Sequence, residues 1–117
     1  MSAMTPEAVI NGAYRAFNAR DIDGALQLMA DDVVWPNGMQ GGAVHGRDGV
    51  RAYWRRQWTI VDPKVEPVRI DARPDGRFDV EVHQVVRDVR GTLLADRTIH
   101  HVYRIQGGLI AAMEVIE

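Results

Sequence analysis

Near Pro63 the hydrophobic residues of this chain change their spacing, and that change dictates the class of fold. Before it, apolar side chains recur at intervals of three and four; after it, they alternate with polar ones. Ile10, Ala13, Tyr14 and Phe17 fall at i, i+3, i+4 and i+7, which puts them along one side of a helix. The helix opens at Thr5-Pro6-Glu7. There a hydroxyl can accept a backbone N–H, proline surrenders no donor that a first turn needs, and an acid meets the positive helix end. The helix runs to about Arg20. A second helix follows, capped by Asp21 or Asp23, with Ile22, Ala25, Leu26 and Met29 on its apolar side; Asp31-Asp32 closes it before a short strand at Val33-Val34-Trp35. Pro36 to Gly46 carries four glycines and a proline among eleven residues and reads as a loop. From about Arg47 a third helix turns Val50, Tyr53, Trp54 and Trp58 inward and Arg51, Arg55 and Arg56 toward water.

Beyond Pro63, Val68, Ile70 and Ala72 alternate with Arg69 and Asp71, and Pro74-Asp75-Gly76 is a turn. A strand from Phe78 to Arg87, a turn at Asp88 to Gly91, a strand from about Leu93 to Ile105, a turn at Gln106-Gly107-Gly108 and a strand from Leu109 to Ile116 complete the chain. Gly91 stands where the turn needs a positive φ. Three hairpin connections in a row make an antiparallel sheet. Residues 1–117 therefore read as one α+β domain, three amino-terminal helices packed on a single sheet.

Composition removes several functions. Fourteen Lys and Arg against sixteen Asp and Glu give a formal charge of −2, which speaks against nucleic acid, whose phosphates demand a basic face. There is no cysteine, so thiolate chemistry, Cys-ligated metals and disulfides are excluded. No apolar run approaches the length of a membrane span, and the first residues lack the pattern of a secretory signal; the expected location is the cytoplasm. Nor is there a Gly-x-Ser-x-Gly elbow or a phosphate-binding glycine motif. A metal is not expected either. His100 and His101 point to opposite faces of their strand, so at most one of them could join His83 and the loop residue His45.

If Asp88 pairs with Thr92, simple counting places Val85 opposite Ala95, His83 opposite Arg97 and Glu81 opposite Ile99. One face then collects Val85, Ile99, Tyr103 and Ile105 together with His83, Arg97 and His101. An apolar face broken by a few polar groups suits a small-molecule pocket. Two bland alternatives stand beside it: the histidines could be satisfied core or interface side chains, and Arg97 could pair with Glu81. Trp54, four residues before Trp58, fits the core, and Trp35 fits a pocket mouth or simple packing. A bulge in the hairpin would turn every cross-strand assignment over.

The run Tyr14 to Trp35, the segment His45-Gly46-Arg47-Asp48-Gly49-Val50 opening a helix, and Tyr103 to Ile110 resemble the SnoaL-like and ketosteroid-isomerase-like proteins of the nuclear transport factor 2-like superfamily. The resemblance implies a cone-shaped, cystatin-like α+β barrel, three helices closing over a curved sheet around a pocket, commonly a homodimer through the sheet's outer face. It also implies cofactor-independent acid–base chemistry. The family's general-base aspartate falls at Pro36 or Asn37, its oxyanion-hole tyrosine at Ala13 beside Tyr14, and its oxyanion-hole aspartic acid at His101. The expectation is an isomerase, cyclase or dehydratase acting on an apolar, carbonyl-bearing ligand. His101 and His83 would be acid or base, and Arg97 would hold developing charge or orient a histidine. Tyr14 and Asn37 would supply hydrogen bonds; Trp35, Trp54, Val85, Ile99, Tyr103, Met113 and Val115 would form the wall. The alternative is a ligand-binding or dimerisation module of the same fold without chemistry.

Overall fold

The computed structural model describes residues 4–117. Three helices, α1 (Pro6–Asn18), α2 (Ile22–Leu26) and α3 (Gly46–Ile60), pack on six strands: β1 (Met29–Pro36), β2 (Ala43–His45), β3 (Val61–Ala72), β4 (Phe78–Asp88), β5 (Leu93–Gln106) and β6 (Leu109–Ile116). The strands form one curved sheet in the order β2-β1-β6-β5-β4-β3. It is mixed, because β1 runs parallel to β6 while every other neighbour is antiparallel. The curl does not close, so β2 and β3 remain edges. Among the described residues no helix is long and apolar enough to cross a membrane.

Local chemistry explains where the elements begin and end. Thr5 accepts the Ala8 N–H at 3.1 Å and starts α1. The second helix is shorter than its apolar stripe suggests: Met29 already belongs to β1, where it is fully buried and paired with Ile110. Its carbonyl is held by Nε and Nη2 of Arg47, at 3.0 and 2.6 Å, so the chain leaves the helical path there. Gly46 permits the turn that precedes Arg47. It carries φ 77° at the turn from β2 into α3, and a Cβ on it would come within 3.4 Å of the Asp31 carbonyl. The glycine-rich loop is likewise more ordered than its composition implies, since β2 folds back on β1 and pairs Val44 with Trp35.

Of the four register irregularities in the sheet, two decide which residues of β3 and β4 face the core. Asp88 does donate to the Thr92 carbonyl at 2.9 Å across a turn with Gly91 at φ 94°, but Arg87 then pairs with Leu93 and Val86 with Ala95, leaving Leu94 as an extra residue. From that point the register is shifted by one. His83 faces Thr98, Gln84 faces Arg97, Val82 faces Ile99 and Val80 faces His101. The concave face of β4 is therefore its even-numbered set, and His83 and Val85 project from the convex side, contrary to simple counting. The second bulge lies in β3 between Pro67 and Arg69 and leaves Val68 61% exposed instead of on the apolar face. Pro63 and Pro67 cost the sheet nothing here, because β3 is an edge and needs no N–H on its outer side.

The core lies between α1, α3 and the concave face, around Ile10, Val33, Val50, Trp54, Val82 and Ile99. Two residues after α1's helical stripe lock that helix to the β3 edge. Asn18 donates to the Val65 carbonyl at 2.7 Å and accepts its N–H at 3.0 Å, standing in for a missing strand. Arg20 pairs with Asp62, donates to the Pro63 carbonyl at 2.8 Å and lies over the Trp58 ring at 4.8 Å. These contacts hold Arg20 at φ 62°, a conformation that costs a non-glycine residue of order 1 kcal/mol or more.

Candidate active site

Between α1, α3 and the concave face lies a cavity of about 700 Å³, within the range of small-molecule pockets. Its closed end is built by β5 and α1. Alternation along β5 turns His101 and Tyr103 inward and His100 outward, where His100 Nδ1 meets Asp79 at 2.7 Å. The first helix presents Tyr14 from its buried stripe, and the Tyr14 hydroxyl and His101 Nδ1 share a hydrogen bond of 2.8 Å. The two rings are nearly parallel, 8° apart with centroids 5.8 Å apart; Tyr103 stands edge-on to both.

Burial governs the protonation of this trio. His101 is 6% exposed, and desolvation, aided by the neighbouring His100, lowers its pKa to about 4. Burial pushes the hydroxyls of Tyr14 and Tyr103 well up from the ordinary phenol value, Tyr103 adding to the shift on Tyr14. All three groups are neutral at pH 7. The Tyr14 bond occupies Nδ1, which leaves Nε2 for whatever enters the cavity. A neutral imidazole so placed is a hydrogen-bond donor or acceptor and a poor acid.

One wall is aromatic: Trp35 of β1 meets Trp54 of α3 edge to face at 5.6 Å. Ile99, Met113 and Val115 line the opposite, sheet side. Asn37 reaches the cavity, but its Oδ1 accepts the N–H groups of Met39 and Gln40 at 3.1 and 3.0 Å, so its oxygen shapes the loop. Tyr53 holds the same loop by accepting the Gly38 N–H at 3.0 Å. Gln57 donates to Tyr53 at 3.3 Å and keeps a buried carbonyl oxygen without a protein partner. Neither Tyr53 nor Gln57 was expected in the site. Helical spacing contains the signal, because Gln57 follows Tyr53 by four and Trp54 by three and so shares their inward face.

The open end carries the charges. Arg97 donates from Nε to Gln84 at 2.9 Å and pairs with Glu117 at 2.9 Å; both members of the pair are about half exposed. Arg97 precedes His101 by four residues on one strand, about 13 Å along it. Its hydrogen-bond and ion-pair partners are Gln84 and Glu117, and neither pocket histidine is among them. His83 and Val85 do not line the cavity at all. The bulge at Leu94 sends both to the convex face, where His83 Nε2 sits 2.7 Å from Asp96 in solvent. Among the described residues no three His, Cys, Asp or Glu side chains converge as a metal site.

Comparison with known proteins supports this geometry. The sequence matches the SnoaL-like domain family over residues 10–113. Comparison with the curated proteins gives no match. Among solved structures, an NTF2-like protein of unknown function from Burkholderia pseudomallei superposes with a TM-score of 0.80 at 30% identity, over 93% of this chain and 88% of its own. TerC co-crystallised with polyporic acid gives 0.80 at 30% identity, over 92% and 87%. A Mycobacterium tuberculosis protein in complex with estradiol-17β-hemisuccinate gives 0.78 at 22% identity, over 92% and 88%, a likeness of fold.

Proposed function

The chain belongs to the SnoaL-like domain family, and from that premise we propose that it takes an apolar, carbonyl-bearing small molecule into its cavity and acts on it as an isomerase or cyclase without a cofactor. The observation that carries this reading is the buried, neutral Tyr14–His101 pair at the closed end of an otherwise apolar and aromatic cavity. With Nδ1 accepting from Tyr14, Nε2 bears the ring proton and donates it in a hydrogen bond to the ligand carbonyl. A neutral imidazole donor at the closed end polarises a carbonyl and acidifies the adjacent carbon, whose proton then passes to water admitted through the open mouth. The bound ligands of TerC and of the mycobacterial protein are consistent with a pocket of this shape holding an organic ligand.

A second reading rests on a specific absence. Among the described residues lining the cavity the one carboxylate is Glu117, at the open end, so no carboxylate base stands beside His101. A binding module would polarise a ligand carbonyl without turning the ligand over. One experiment separates the two: an enolisable cyclic ketone is bound, its carbonyl stretching frequency is read by infrared difference spectroscopy, and deuterium exchange at the adjacent carbon is followed by NMR. Catalysis requires a lowered frequency and accelerated exchange, both lost in His101→Gln. A lowered frequency without exchange leaves the binding module; an unshifted carbonyl sinks both readings.

Assembly as a homodimer through the convex face is part of the same proposal. Val85 and Ile116 set apolar surface there among charged groups. Light scattering at micromolar concentration would give the mass of a single chain if this is wrong.

A further inference from the structure

We infer that Arg97 selects ligands with an anionic group, so that the molecule taken up is an apolar body with a carbonyl at its buried end and a carboxylate at the cavity mouth. This deepens the proposed function and rests on its reading of the cavity as a ligand site.

The polar groups of the cavity are segregated by charge. The closed end holds only neutral donors and acceptors, whereas the mouth holds a guanidinium and a carboxylate, Arg97 and Glu117, the one pair of permanent charges among the described lining residues. Both ends are on β5. Arg97, Ile99 and His101 project from the same face, so the strand sets the two polar residues about 13 Å apart along the backbone, with Ile99 between them. A ligand spanning both would be an elongated, mostly apolar molecule with oxygen at both tips.

Arg97 is prepared for such a group. Its Nε is fixed by Gln84, which orients the guanidinium plane at the mouth. Nη1 meets Glu117, and the remaining N–H groups of the fork have bonding capacity to spare. Glu117 is a replaceable counter-ion, because an ion pair this exposed contributes little in water. An entering carboxylate can displace it and form a two-pronged contact, while the ligand body is desolvated behind it. The alternative occupant of the mouth, a neutral polar tip, would have to compete with Glu117 with no charge of its own.

The test uses 3-oxo-4-androstene-17β-carboxylate and its methyl ester, which share the ring system and the ketone and differ only in the far charge. Dissociation constants are read from quenching of tryptophan fluorescence, since Trp35 and Trp54 line the cavity. The acid is expected to bind about five- to tenfold more tightly than the ester at low salt, a preference that shrinks as salt rises. Arg97→Gln should abolish the preference, so that the acid binds no more tightly than the ester. Glu117→Gln should strengthen binding of the acid more than binding of the ester. Equal affinity of acid and ester in the unmodified protein, or a preference that survives Arg97→Gln, overturns the inference while the cavity remains a ligand site. Failure of both compounds to bind overturns the reading of the cavity and this inference with it.

Discussion

Tyr14 and His101, 87 positions apart in the sequence, meet in a buried hydrogen bond of 2.8 Å that ties α1 to the middle of β5. The bond lies at the closed end of the cavity and is the contact on which site and fold both depend. Removing the hydroxyl strands a buried imidazole nitrogen, whereas removing both partners strands nothing. Tyr14→Phe should therefore lower stability by about 1–3 kcal/mol, and a double-mutant cycle with His101→Phe should show a coupling of about 1 kcal/mol or more. Urea unfolding of the four proteins measures it. Additive effects would mean that the bond is not formed in solution.

The low pKa of His101 gives stability a direction with pH. The ordinary value is 6.5 and the folded value about 4, so between those limits the unfolded chain binds a proton that the folded chain refuses. The stabilisation is complete above pH 6.5 and is lost as pH falls toward 4, by a total of order 3 kcal/mol. His101→Gln should flatten that part of the stability profile. In the folded protein the His101 ring carbon resonances should stay at their neutral positions down to pH 5; a midpoint above 6 would contradict the burial argument.

Much of this arrangement was legible in the sequence, and the part that was not has an identifiable physical source. Periodicity within one element is local geometry, so the α1 stripe through Tyr14 and the parity of Ile99, His101 and Tyr103 along β5 follow from spacing alone. Register between strands is a tertiary property. Leu93 and Leu94 are both apolar and both exposed, and nothing in their chemistry says which of them begins the ladder. The resulting one-residue slip moved His83 and Val85 to the convex face. The parallel pairing of β1 with β6 and the charged mouth at Gln84, Arg97 and Glu117 are hidden for the same reason: each joins segments far apart in the chain.

That slip can be tested by comparing the two histidines. His83 is solvent-exposed and paired with Asp96, an arrangement that contributes about 0–1 kcal/mol. His83→Ala should change stability by no more than that and should leave the affinity for an apolar ketone within about twofold. His101→Ala, which removes a buried side chain at the cavity wall, should weaken ligand binding strongly in the same assay. Equal losses from the two substitutions would restore the unbulged register and place both histidines in the cavity.

Asn18 offers the last test, of how the helical layer is held over the cavity. Its amide donates to the Val65 carbonyl and accepts the Val65 N–H, so one side chain supplies both bonds that a neighbouring strand would have made to this edge. Val65 itself lines the cavity and is buried, which makes those backbone groups costly to leave unpaired. Asn18→Ala should destabilise the protein by about 1–3 kcal/mol, two modest bonds with part of the desolvation penalty added. Asn18→Asp keeps the acceptor and forfeits the donor, so it should fall between Ala and the unmodified protein at neutral pH. Hydrogen exchange at the Val65 amide is the specific readout: protection should drop in Asn18→Ala and persist in Asn18→Asp. An unchanged exchange rate in Asn18→Ala would mean that β3 is anchored by Arg20 and its partners rather than by the Asn18 amide.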